Sequence, residues 1–63
     1  MDFAEIIKAA ESIANNEWEI GGTLEQAELN IRKAFKGDSK YAVQSALDAA
    51  RQWWEDMDNV PGD

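Results

Sequence analysis

Apolar residues return every three or four positions through three stretches of this chain, and each stretch follows a residue suited to capping a helix. In the first, Phe3, Ile6, Ile7, Ala10, Ile13 and Ala14 share one helical face, while Glu5, Lys8 and Ser12 lie opposite. Asp2 followed by Glu5 has the spacing of a reciprocal cap, which satisfies N–H groups that lack partners in the first turn. The pattern predicts a helix over 2–15, closed by Asn15 and Asn16, because asparagine tolerates the left-handed backbone that ends helices. Glu17-Trp18-Glu19-Ile20 then alternates polar and apolar, the period of extended chain, before Gly21-Gly22 breaks it. This predicts a connector that turns Trp18 and Ile20 back on the core and leaves Glu17 and Glu19 in solvent.

Thr23 with Gln26 three residues on is a second capping pair. It opens a helix over 24–36, whose inward stripe is Leu24, Ala27, Ile31, Ala34 and Phe35, with Gly37 as its stop. Leu29 falls on the opposite side from that stripe. Asp38 or Ser39 caps a third helix over 39–57, ahead of Pro61 and Gly62. Its apolar positions, Ala42, Val43, Ala46, Leu47, Ala49, Ala50, Trp53, Trp54 and Met57, cover a wider arc than one neighbour needs.

These elements make an all-α, small three-helix domain with short connections, its helices antiparallel to their neighbours in sequence. Ile6, Ile13, Ile31, Phe35, Leu47 and Trp53 are the expected core, and residues 58–63 an expected frayed acidic tail. With 63 residues the chain is a single domain near the lower limit of independent folding. It has neither cysteine nor histidine, so disulfides are excluded and a transition-metal staple is not expected. Efficient helix packing or oligomerisation remains as a source of stability. No apolar run is long enough to span a bilayer, and the N-terminus does not have the pattern of a secretory leader, so a cytoplasmic protein is expected.

Candidate chemistry is sparse. The commonest general base and the commonest potent nucleophile are both missing, so the chain reads as non-enzymatic, with no cofactor and no metal expected. Paired acids at Glu17 and Glu19, and at Glu55 and Asp56, read as solvated charge. Asp56, Asp58, Asn59 and Asp63 lack the ordered spacing of a calcium loop. Gly21-Gly22 before a helix start resembles an anion cradle, but Glu17, Glu19, Glu25 and Glu28 surround it.

The formal charge is −7, and it is unevenly spread. Arg32, Lys33, Lys36 and Lys40 gather where the second helix turns into the third, while both flanking stretches are acidic. This corner is the candidate anion contact, and it supports an alternative reading as a nucleic-acid-associated regulator. An acidic mimic of DNA is a further alternative. A ribbon-helix-helix arrangement fails on charge, since the outward residues of its ribbon would be Glu17 and Glu19, which phosphates repel.

Aromatic and aliphatic residues beyond the needs of one small core carry the preferred reading. Leu29, Tyr41, Trp53, Trp54 and Met57 are the candidate partner or dimer interface, tryptophan and tyrosine being the side chains most enriched at binding hot spots. The expected function is a protein–protein interaction module that binds and modulates a partner protein as a homodimer built on the third helix. Size and composition also suit an accessory protein of a phage or mobile element, an association without residue-level support.

Overall fold

The computed structural model describes residues 2–59. It contains α1 (Phe3–Glu19), α2 (Leu24–Ala34) and α3 (Lys40–Asp58), all packed against one another. The all-α three-helix domain expected from the sequence is what is found.

All three starts are capped at the residues the sequence indicates, though the return half of the two reciprocal caps is not found among the described residues, where the Gln26 side chain donates to Asn30 instead. The Asp2 carboxylate accepts the Glu5 N–H at 2.9 Å, the Thr23 hydroxyl accepts the Gln26 N–H at 3.2 Å, and the Ser39 hydroxyl accepts the Ala42 N–H at 3.1 Å. Each bond satisfies a donor that the helix itself leaves free.

The helix ends differ from expectation, most of all in α1. Asn15 and Asn16 do not stop it, and Glu17, Trp18 and Glu19 are helical rather than extended. The physical reason lies at the glycines. Ile20 caps the helix and Gly21 takes φ 77°, with the Gly21 N–H bonded to the Trp18 carbonyl and the Gly22 N–H to the Glu17 carbonyl at 2.8 Å. That paired closure consumes carbonyls left over in the last turn, and a left-handed glycine provides it more readily than asparagine does. The four-residue alternation is also compatible with a helix, because Trp18 stands four residues after Ala14 and eight after Ala10.

α2 stops two residues short of the expected 36. Phe35 keeps its N–H bond to Ile31 but leaves helical geometry, and Gly37 at φ 91° turns the chain toward α3. At the other end Asp58, expected in the tail, belongs to α3, and Asn59 caps it. The rest of the expected tail, Val60 to Asp63, lies outside the described residues.

The core is one cluster of Ile6, Ala10, Ala14, Ile31, Phe35, Ala46, Leu47 and Ala50, with Ile13, Val43, Trp53 and Trp54 packed against it. Ile6, Ile31, Phe35 and Leu47 are thus buried as expected, whereas Ile13 and Trp53 are half-buried. Ala10, Ala14, Ala46 and Ala50 are completely buried. Their small side chains let α1 and α3 approach closely, and the last turns of both helices meet through Trp18, Trp53 and Trp54, so α1 and α3 run parallel with α2 antiparallel to both. Among the described residues no helix is long and apolar enough to cross a membrane.

Candidate protein-interaction surfaces

Three tryptophans close one end of the bundle. Trp18 meets Trp54 edge-on with ring centroids 4.9 Å apart and Trp53 at 6.0 Å, and Trp53 and Trp54 are 6.4 Å apart. These are the separations and tilts at which the positive edge of one ring faces the negative face of another. The sequence places Trp53 and Trp54 on the broad arc of α3 but gives no sign that Trp18 would join them, because it reads Trp18 as connector. Helical continuation of α1 puts it there.

All three rings are half-buried, so the trio is both a cap on the core and an exposed surface. Ile20, expected to turn back on the core, is instead the C-cap of α1 and 77% exposed, and Met57, four residues after Trp53 and three after Trp54, is exposed as well. Large apolar side chains from α1 and α3 therefore occupy the same end. Of the candidate interface residues, Trp53, Trp54 and Met57 belong here. Tyr41 sits in the first turn of α3, at the opposite end with the exposed Phe3, and Leu29 projects from the middle of α2, 44% exposed. The structure thus divides the candidate set among three places.

Below the tryptophans lies a polar contact that the sequence reading misplaces. Glu17, expected in solvent, is 8% exposed and its carboxylate accepts a hydrogen bond from the Asn30 amide at 2.9 Å. Asn30 in turn accepts from Gln26 at 3.3 Å. The carboxylate also lies over Gly22: a methyl group there would fall 2.2 Å from Glu17 Oε1. Gly22 is required for this close approach, and no spacing in the sequence signals it. Every carboxylate oxygen and hydroxyl buried among the described residues has a hydrogen-bond partner.

The second polar contact joins α2 to α3. Arg51 Nε donates to Glu28 Oε2, and Asp48 lies 3.8 Å from the guanidinium. The hydrogen bond to Glu28, and then its charge, raise the Arg51 pKa above its ordinary value.

Arg32, Lys33, Lys36 and Lys40 are all exposed, with Arg32 and Lys33 in the last turn of α2, Lys36 in the connection and Lys40 at the start of α3. None of them has an ion-pair partner within 4 Å among the described residues. Arg32 and Lys33 sit in the last turn of α2, where the helix dipole favours cations without any ligand. Among the described residues no group of three or more acidic side chains is placed to hold a metal ion. No family model matches the chain, and no curated protein or solved structure matches it.

Proposed function

We propose that this protein is a non-enzymatic interaction module whose partner-binding surface is the tryptophan-closed end of the bundle. The observation that carries the reading is the grouping of Ile20, Trp18, Trp54 and Met57, contributed by two helices and left partly or largely in solvent. Half-buried tryptophans held edge-on by one another are rigid, so a partner that covers them loses little side-chain entropy on binding. Protein-binding hot spots have this composition, and a partner protein with an apolar pocket is the matching occupant. The acidic residues around this end, Glu19, Glu55, Asp56 and Asp58, would form a polar rim that favours a basic partner.

The homodimer expected from the breadth of α3 finds less surplus here, because Trp53 and Trp54 spend much of their area on Trp18. The nucleic-acid reading has only the Arg32, Lys33, Lys36 and Lys40 corner, of which the α2 dipole accounts for Arg32 and Lys33.

The test uses a double substitution at two exposed positions. Ile20→Lys with Met57→Lys adds cations near two helix C-termini, where they suit the dipole, while placing charge in the apolar surface. Partner capture from the native host should fall below detection with helicity unchanged. Capture of the same partner by wild type and variant alike would overturn the assignment of this surface.

A further inference from the structure

The outward face of α2 has a charge order that is complementary to itself. Ala27, Ile31 and Phe35 point into the core, which puts Leu29 at the centre of the solvent face. Glu25 precedes Leu29 by one turn, and Arg32 and Lys33 follow it by one turn. An open depression along this face is lined by Thr23, Glu25, Gln26, Glu28, Leu29 and Arg32.

Among the described residues Glu25, Arg32 and Lys33 make no ion pair within 4 Å. Glu28 has the four-residue spacing to pair with Arg32 but is engaged by Arg51 of α3, and Arg32 has no ion-pair partner within 4 Å among the described residues. Glu25 and Lys33 are likewise without such a partner, and eight residues of helix hold them about 12 Å apart along the axis, beyond pairing distance. A large apolar side chain thus lies between an unpaired anion and unpaired cations on one exposed helix.

We infer that this face docks a second copy of the chain, with the two α2 helices antiparallel across a two-fold axis at Leu29. In that arrangement Leu29 meets Leu29 of the second copy, and Glu25, four residues before the axis, meets Lys33, four residues after it. Symmetry makes each such pair twice. A parallel arrangement would set Arg32 and Lys33 beside their own copies, so charge selects the antiparallel one. This face is separate from the tryptophan end, so the two assignments succeed or fail independently.

Sedimentation equilibrium, with circular dichroism as the check on folding, tests the inference. The wild type should dimerise, and more weakly as salt is raised. Leu29→Lys should be monomeric. Glu25→Lys should weaken the dimer by about tenfold, and adding Lys33→Glu to it should restore the wild-type constant. Because the chain has no other cysteine, Leu29→Cys offers one thiol and should give a covalent dimer on mild oxidation. A wild type at monomer mass up to about 1 mM overturns the inference. So does a dimer that survives Leu29→Lys, or one that the Glu25→Lys, Lys33→Glu double variant fails to restore.

Discussion

α1 and α3 bring to the core four fully buried alanines and, at one end, the three tryptophans, while α2 brings a core stripe supplemented at both edges by polar contacts. Ala10 and Ala14 with Ala46 and Ala50 are completely buried, and above them the three rings lock edge to face. On the α2 side, Ile31 and Phe35 enter the core, Asn30 bonds the buried Glu17 of α1, and Glu28 bonds Arg51 of α3. Residues with only a methyl group permit close helix axes and leave little adjustable volume. The polar edges depend on direction and partner, which makes them specific but individually worth less. A small bundle without disulfides thus combines an apolar α1–α3 contact with α2, whose core stripe is supplemented by directional polar contacts.

The α1–α3 contact should be the most sensitive to enlargement. Ala50→Leu should cost about 1–3 kcal/mol, read as a lower midpoint in urea, since a larger side chain must push two helices apart. An unchanged midpoint would mean that α1 and α3 are looser than their buried alanines imply. Asn30→Ala should cost about 1–2 kcal/mol by leaving the Glu17 carboxylate without a donor, and Gly22→Ala should disturb the same carboxylate by displacing it. A variant in which Asn30→Ala is neutral would show that water replaces the amide. Arg51→Ala should have the smallest effect, within about 1 kcal/mol and diminishing in high salt, because the pair is partly exposed. A larger, salt-independent loss would place Arg51 among the residues that pack α3 rather than pair with α2.

Most of the fold was legible locally. The three caps, the outward position of Leu29 and most of each inward stripe follow from residue types at fixed spacings, each involving groups within four residues of one another; Phe3 and Ala34, expected inward, are exposed because they lie in the first and last turns of their helices. The candidate surfaces were legible in part. Trp54 and Met57 could be singled out on α3, but their neighbours Trp18 and Ile20 could not be joined to them, because no local rule says which helix face meets another. The basic corner could be read from charge alone, since Arg32, Lys33, Lys36 and Lys40 are close in the chain.

The tertiary structure decided what local signals leave balanced. A polar–apolar alternation of four residues suits a strand or a helix equally, and packing of Trp18 on Trp53 and Trp54 selects the helix by burying apolar area that an extended segment would leave behind. Once α1 continues through that turn, Glu17 faces inward and finds Asn30, and Gly22 becomes the space its carboxylate needs. The sequence by itself determined where helices begin and which faces turn inward, because those depend on contacts within one or two turns. Which tryptophans meet and why one glutamate is buried depend on residues 13 to 36 positions apart, which only the folded chain brings together.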